Sequence, residues 1–296
     1  MASEIQTVLV AGYGVMGRGI VTAFRRGGFR VAVLSRRPAN ELGLPAEVEV
    51  IAKPGGHAPD LIVETIEEKT EPKLALYAQL DSAWDGAPIL ASNTSSLPLD
   101  ELAKGLKRPD RYVGLHYFQP ADSIPLVEVV RGAKTSDSTL AAARAAVIRC
   151  AQKPLVLQKA VNGFLVNRLQ QALYREVYAL MALGVVAAED VDLCAKAMLG
   201  PRMCVTGLLE QKDISGLDTH ALAMRAIVPD LCHDPAPNEL VQAMYARGDI
   251  GLKSGKGFYD WRGKDPARVR SEVARRLAEV LATLEKSGGE PPVTLR

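Results

Sequence analysis

The chain has 296 residues, of which 48% are hydrophobic and 24% are charged. This length and balance are typical of a globular protein with room for two domains. The 36 Lys and Arg residues are nearly matched by 34 Asp and Glu residues, so we expect no nucleic-acid partner. No run approaches the roughly 18 apolar residues of a membrane span, and the amino terminus shows no leader pattern, so we expect a cytoplasmic protein without membrane contact.

Short apolar runs alternate with helical patterns in the first part of the chain, as is typical of β-α-β units. The runs that we predict as strands lie at 7–11, 31–34, 61–63, 89–91, 112–115 and 126–130. Because these runs are apolar throughout, they predict a sheet that is covered on both faces.

Beyond residue 158 the pattern becomes helical. Leucines and valines recur there at spacings of three and four, first at Leu165, Leu169, Leu173, Val177 and Leu180 and again near the end of the chain. We therefore predict an α/β domain over residues 1–158, followed by an all-helical domain over residues 159–296.

The first predicted strand leads directly into a G-x-G-x-x-G motif formed by Gly12, Gly14 and Gly17. Glycines at this spacing allow a tight turn and let the N–H groups at a helix start approach a pyrophosphate. The motif predicts a Rossmann dinucleotide-binding domain with Gly12, Gly14, Val15, Met16 and Gly17 at the cofactor. The alternative is a tight turn with a structural role only.

The end of the second predicted strand reads Ser35-Arg36-Arg37 and carries no acidic residue. An acidic residue there accepts hydrogen bonds from the ribose hydroxyls of NAD, whereas guanidinium groups can bind the 2′-phosphate of NADP. The sequence thus favours NADP over NAD at these three residues. The alternative is a solvated turn before Pro38.

Polar residues follow two further strands, where the carboxyl ends face the ligand crevice of such sheets. Ser95 lies in a Ser/Thr-rich segment after the strand at 89–91, and His116 follows the run at 112–115. Glu128 lies inside an apolar strand, where a buried carboxylate needs a partner. An imidazole partner predicts a general base for an alcohol proton, oriented by the carboxylate. A structural ion pair would also satisfy Glu128, and the serine segment could be a simple loop.

Five longer motifs follow one another along the chain. They are VLVAGYGVMGRGI at 8–20, ASNTSSLPL at 91–99, GLHYFQPADSIPLVEVV at 114–130, VNGFLVNRL at 161–169 and GLKSGKGFYDW at 251–261. Through these motifs the sequence resembles the 3-hydroxyacyl-CoA dehydrogenase family. The resemblance covers nearly the whole chain. It implies a Rossmann domain, an all-helical domain through which a homodimer forms, and a role in fatty acid metabolism.

The resemblance also implies roles for single residues. The catalytic residues are His116 as base, Glu128 as its orienting carboxylate, Ser95 near the reacting oxygen and Asn167 as a substrate-positioning amide. Asn167 also points away from the neighbouring leucine stripe at about 100° per helical residue. Four further matches imply cofactor contacts, at Glu68, Lys73, Asn93 and Lys253. Arg202 could bind a substrate carboxylate, or it could be an ordinary surface arginine.

Two departures from the family pattern concern the substrate. Only about 25 residues separate Arg36 from the strand at 61–63, where the family normally has a long helical hairpin that helps to bind coenzyme A. The segment Ile124-Pro125-Leu126 after the histidine motif is similar to that of relatives acting on free acids, such as carnitine, gulonate and pyridoxine-catabolic dehydrogenases.

Together these features predict an NAD(P)-dependent oxidoreductase of a small-molecule substrate. The main prediction is the interconversion of a 3-hydroxyacyl group, carried as a CoA thioester, and its 3-keto form. The alternative within this class is a dehydrogenase of a free hydroxy acid or a polar aromatic acid. A non-catalytic dinucleotide-binding protein is the alternative from another class, which the intact set of Ser95, His116, Glu128 and Asn167 disfavours. The four cysteines are widely spaced with no C-x-x-C pair, so we expect no metal site.

Overall fold

The computed structural model describes residues 4–287. Residues 1–3, at the start of the predicted α/β domain, and residues 288–296, at the end of the predicted helical domain, lie outside the described residues. The chain divides after Arg168 into two compact units, which are described separately. The predicted domain boundary at residue 158 stays a prediction.

The first unit is built on one sheet, in the order β3-β2-β1-β4-β5-β6-β7-β8. Neighbouring strands are parallel, except that β7 runs antiparallel to β6. The described residues form β1 Thr7–Ala11, β2 Arg30–Leu34, β3 Glu49–Ile51, β4 Leu61–Glu64, β5 Ile89–Ser92, β6 Tyr112–Tyr117, β7 Leu126–Val130 and β8 Lys153–Leu157.

Six of these strands were predicted, and the two edge strands were missed. β3 has only three residues, which are too few to reveal the alternation of hydrophobic and polar residues that is typical of a strand. β8 contains Pro154, a residue that sequence patterns count against a strand but that an edge strand tolerates, because its outward positions need no hydrogen bond.

Helices cover both faces of the sheet, as the apolar runs predicted. Val8 and Val10 of β1 pack into the core on one face, whereas Leu9 and Ala11 pack into the core on the other. The α-helices of this unit are α1 Val15–Arg26, α2 Ala39–Leu42, α3 Thr70–Trp84, α4 Leu99–Leu102 and α5 Asp137–Arg149.

The second unit is helical, as predicted. Its described α-helices are α6 Val166–Ala182, which begins just before the division, α7 Ala188–Cys194, α8 Gly200–Val205, α9 Glu210–Ser215, α10 Leu217–Ile227, α11 Glu239–Ala246 and α12 Pro266–Ser287. A π-helical segment, Ala195–Leu199, joins α7 to α8. Within residues 4–287, none of the helices combines the length and the apolar content needed to cross a membrane.

Many apolar side chains of this helical unit are exposed in the single chain. Leu169 and Leu173 of the predicted α6 stripe are 45% and 51% exposed, and Leu209 is 82% exposed. Among residues 169–286, all described, no side chain is fully buried. A unit of this size without a buried core needs apolar surface from elsewhere to cover it.

Candidate active site

His116 and Glu128 lie directly opposite each other on the antiparallel strands β6 and β7. This pairing brings His116 Nδ1 within 2.6 Å of Glu128 Oε2, and both side chains are almost fully buried. The ring of His116 is flanked by Phe118 and Phe164, whose centroids are 4.7 and 5.4 Å away. The predicted pair is therefore in contact in a largely apolar setting.

The second oxygen of Glu128 receives hydrogen bonds from the start of α6. The backbone N–H groups of Leu165 and Val166 donate to Oε1, both at 2.9 Å. Burial alone would raise the pKa of Glu128, but the hydrogen bonds from His116, Val166 and Leu165 outweigh burial and hold the pKa below its usual value. Glu128 is thus a carboxylate, an acceptor only.

A left-handed turn aims these two N–H groups. Gly163 and Phe164 both have positive φ, +74° and +50°, a conformation that glycine adopts freely and phenylalanine rarely. The turn directs the next two amides toward Glu128. Sequence reasoning missed Phe164, because nothing in its neighbours marks a residue with positive φ.

Ser95 contacts the other nitrogen of the imidazole: its Oγ lies 3.0 Å from His116 Nε2. The segment 94–96 is held by one carboxylate oxygen, Glu68 Oε1. This oxygen accepts from Thr94 Oγ1 at 2.7 Å, from Ser95 N at 2.7 Å and from Ser96 N at 2.9 Å. Partial burial opposes ionisation, but these hydrogen bonds prevail and lower the pKa of Glu68 to about 2.

A buried polar cluster lies behind Glu68. Lys73 is 1% exposed, and its Nζ lies 2.5 Å from Glu64 Oε1 and 3.4 Å from Glu68 Oε2. Glu64, fully buried at the end of β4, also accepts from Tyr77 Oη at 2.8 Å and from Ser92 Oγ at 2.9 Å. The ammonium of Lys73 is thus occupied by two carboxylates, and its predicted cofactor contact stays a prediction.

Sequence reasoning missed Glu64, although a signal for it was present. Glu64 follows the apolar run at 61–63 directly, whereas Glu128 lies inside its run, but a carboxylate next to buried apolar residues needs a partner in both cases.

The glycine motif forms a turn that suits a pyrophosphate. Gly12 has φ +106°, and a Cβ there would lie 2.6 Å from the carbonyl oxygen of Thr65. A Cβ on Gly17 would collide with the Gly12 carbonyl, whereas one on Gly14 would meet nothing within 4 Å. Gly14 immediately precedes α1 and has no side chain that could cap the helix. The first N–H groups of the helix, including those of Val15 and Met16, can therefore donate hydrogen bonds to phosphate oxygens.

A cleft of about 700 Å³ extends from this turn across the carboxyl ends of β1 to β4. Ser35, Arg36 and Arg37 line it, and their predicted contacts with the cofactor stay predictions. Arg37 donates to the Tyr13 carbonyl at 2.9 Å, and its N–H bonds to Ser35 Oγ at 3.0 Å. Arg36 is exposed, and its guanidinium interacts electrostatically with Glu67, which lines the same cleft.

Two asparagines were predicted at the site. Asn93 is nearly buried and links strand ends, because its Oδ1 accepts from Tyr117 N at 2.8 Å and its Nδ2 donates to Thr65 Oγ1 at 3.2 Å. Its predicted ribose contact is untested by these bonds. Asn167 lies in the first turn of α6, next to Val166, and is half-buried. Across residues 4–287 its carboxamide finds no hydrogen-bond partner, so it can bind a ligand.

The remaining predicted residues belong to the helical unit. Arg202, on α8, is exposed and lines a cleft of about 470 Å³ together with Thr206, Gln211 and Ser215. Lys253 is exposed in the turn that a bridge between Gly251 and Lys256 closes. The contacts predicted for both with substrate or cofactor stay predictions.

The geometry defines what the site can do. Because ionised Glu128 can only accept, His116 Nδ1 must carry a proton, and in the neutral imidazole Nε2 is then the acceptor next to Ser95. An imidazole held in this tautomer is suited to take the proton of an alcohol. The fold and the site together define a nicotinamide-dependent dehydrogenase.

Comparisons with known proteins specify the family. Residues 47–161 match the model of the 3-hydroxyacyl-CoA dehydrogenase NAD-binding domain, and residues 163–261 match the model of the 3-hydroxyacyl-CoA dehydrogenase C-terminal domain. The two matches follow each other in the family's order and together span well over half of the chain. The chain belongs to the 3-hydroxyacyl-CoA dehydrogenase family.

Relatives within the family differ in substrate. The chain is 28% identical to a 5-formyl-3-hydroxy-2-methylpyridine 4-carboxylate 5-dehydrogenase from Mesorhizobium japonicum, over 95% of this chain and 99% of that protein. A solved structure of a dehydrogenase of this type, described as an NAD⁺-dependent dismutase, superposes with a TM-score of 0.88 at 29% identity, over 95% of this chain and 99% of the other. The 3-hydroxybutyryl-CoA dehydrogenase of Escherichia coli K12 gives a TM-score of 0.71 at 28% identity, over 88% of this chain and 61% of the other.

Proposed function

We propose that the protein oxidises a hydroxyl or aldehyde group on a free, CoA-less acid, with a nicotinamide dinucleotide as oxidant. One observation favours a free acid over a CoA thioester as the substrate. Residues 35–60, all described, form only the four-residue helix α2 and the short strand β3. The long hairpin that helps the family to bind coenzyme A is therefore missing from this chain. The relative from Mesorhizobium japonicum, named for a pyridine carboxylate, supports the same substrate class.

The proposed mechanism starts from the pair described above. His116 Nε2 takes the proton of the substrate hydroxyl, which for an aldehyde is a hydroxyl of its hydrate, formed by addition of water. Glu128 holds the ring through Nδ1 and stabilises the imidazolium that forms. Ser95 and the unpaired amide of Asn167 hold the reacting oxygen and stabilise its developing charge. A bound nicotinamide would supply the hydride acceptor for the carbon that bears this oxygen.

The residues of this chain fit the cofactor. The turn around Gly14 would hold the pyrophosphate, and the cleft at Ser35 and Arg36 would hold the adenosine ribose. We propose that Arg36 favours NADP over NAD, since no acidic side chain occupies the end of β2. Arg36→Ala should lower kcat/KM for NADP by about tenfold more than for NAD. Equal losses with both cofactors would contradict this preference.

Two further proposals concern the helical unit. Arg202 is the cationic side chain among the polar and apolar residues that line a small cleft. We propose that it binds the substrate carboxylate. The unburied apolar side chains of this unit support a homodimer, in which a second copy supplies the missing cover.

The experiment that tests this function follows the absorbance of the reduced nicotinamide. The purified protein is offered (S)-3-hydroxybutyryl-CoA and, separately, free acids including carnitine, gulonate and 5-formyl-3-hydroxy-2-methylpyridine 4-carboxylate, each with NAD and with NADP. We expect turnover of a free acid, without competition by coenzyme A at saturating cofactor. Preferential turnover of the thioester, with competition by coenzyme A, would overturn the proposal in favour of the acyl-CoA reaction.

A further inference from the structure

A continuous chain of polar contacts runs from the buried interior to the imidazole. It passes from Glu64 to Lys73 at 2.5 Å, from Lys73 to Glu68 at 3.4 Å, and from Glu68 to the backbone N–H of Ser95 at 2.7 Å. Ser95 Oγ then lies 3.0 Å from His116 Nε2. Each member is thus in contact with the next.

The charges along this chain explain why Glu64 is needed. Lys73 lies in the first turn of α3, where the helix dipole opposes a positive charge. Its ammonium is also buried, which is costly without a partner. Glu68 alone offers one carboxylate, one oxygen of which is already occupied by the segment 94–96. Glu64 therefore supplies the charge that keeps the ammonium buried beside Glu68.

We propose that Glu64 is a positioning residue of the dehydrogenase reaction, which acts through Lys73 and Glu68 to hold Ser95 against His116. Glu64 does not touch the imidazole, so its effect on the base must pass through other residues. One route is the chain of contacts above, and a second passes through Ser92 Oγ, which donates to Glu64 Oε2 at 2.9 Å and accepts from Thr94 N at 3.3 Å. The inference rests on the roles that the proposed function gives to Ser95 and His116. It does not depend on which substrate is correct.

A double-mutant cycle between Glu64→Gln and Ser95→Ala tests this relay. Glu64→Gln keeps the shape of the side chain but removes its charge. It should lower kcat by about tenfold in the wild-type background, because a small misplacement of a reacting group is costly. In the Ser95→Ala background the same change should alter kcat by less than about twofold, because the group that it positions is gone. A merely structural role of Glu64 would instead give equal losses in both backgrounds, and that result would overturn the proposal.

Tyr77→Phe is the matched control. It removes another buried hydrogen bond to Glu64, at Oε2, and leaves the contact with Lys73 in place. We expect it to lower the melting temperature while kcat stays within about twofold of wild type. A loss of kcat as large as that of Glu64→Gln would show that any damage to the cluster slows turnover and would also overturn the relay.

If Glu64→Gln does not fold, the cycle is carried out with Lys73→Gln in its place. It breaks the relay one step further on and should show the same dependence on Ser95. Turnover is measured with whichever substrate the wild-type enzyme oxidises, the thioester or a free acid. If the CoA-free substrate proposal is wrong, the double-mutant cycle still tests the role of Glu64. If the cycle contradicts the role of Glu64, the CoA-free substrate proposal is unaffected.

Discussion

At the residue scale, the site depends on carboxylates that accept several hydrogen bonds each. Glu128 accepts a hydrogen bond from Nδ1 of His116, and Glu68 accepts hydrogen bonds from the backbone N–H groups of Ser95 and Ser96. Both carboxylates have pKa values below their usual range, because hydrogen bonds to the charged form outweigh burial. Their ionisation therefore couples local structure to pH.

Glu68 gives a prediction for acid stability. Its pKa is about 2 in the folded protein, against an ordinary value of 4.5, so its stabilising contribution is complete above pH 4.5 and is lost as the pH falls toward 2. Glu68→Gln should therefore flatten the decline of the melting temperature between pH 5 and pH 3, as measured by calorimetry. Glu101→Gln, at an exposed ion pair with Lys104, is the control. A decline as steep in Glu68→Gln as in wild type would contradict this assignment.

The sequence predicted His116 and Glu128 because a carboxylate inside an apolar strand is conspicuous. It could not predict that Lys73 points inward. A lysine in the first turn of a helix is usually solvated. Here Glu64 at the end of β4 and Glu68 in the segment between β4 and α3 supply the two carboxylates that pair with it.

At the element scale, the antiparallel pairing of β6 and β7 is what brings the histidine and the glutamate face to face. Their spacing of twelve residues fits a hairpin but does not specify one, since a crossover could also join two strands. The left-handed turn at 163–164 depends in the same way on tertiary contacts. Gly163 permits it, but Phe164 adopts positive φ in a setting where its ring packs against His116.

Gly163→Ala tests the role of this turn. A side chain at φ +74° costs roughly 1–2 kcal/mol, and relaxation of the turn would draw the amides of Leu165 and Val166 away from Glu128. We expect both a lower melting temperature and a lower kcat. Gly43→Ala is the matched control, because it has φ +61° with open space around it. It should lower stability alone, and an unchanged kcat in Gly163→Ala would contradict the proposed link between turn and base.

At the scale of the whole molecule, the order of an α/β part and a helical part follows from the change of hydrophobic period along the chain. The sequence correctly predicted the helices of the second unit from that period. It could not predict how their apolar faces are covered, because periodicity shows that a face is apolar without showing what packs on it.

The exposed apolar faces lead to a prediction of oligomeric state. Leu209 is 82% exposed and no residue of 169–286 is fully buried, and exposed apolar surface of this kind is typical of an interface. Sedimentation equilibrium at micromolar concentration should give twice the mass of the chain. A monomer that stays folded on dilution would contradict the proposed homodimer.

The most direct test of the account is the rate of hydride transfer in His116→Ala, measured by stopped-flow absorbance in a single turnover with cofactor already bound. Removal of a general base should slow this step by about 10²–10⁴-fold, with cofactor affinity unchanged, and Glu128→Gln should slow it less. His57→Ala, at an exposed loop, is the control and should match wild type. A rate in His116→Ala within about threefold of wild type would contradict the assignment of His116 as the base.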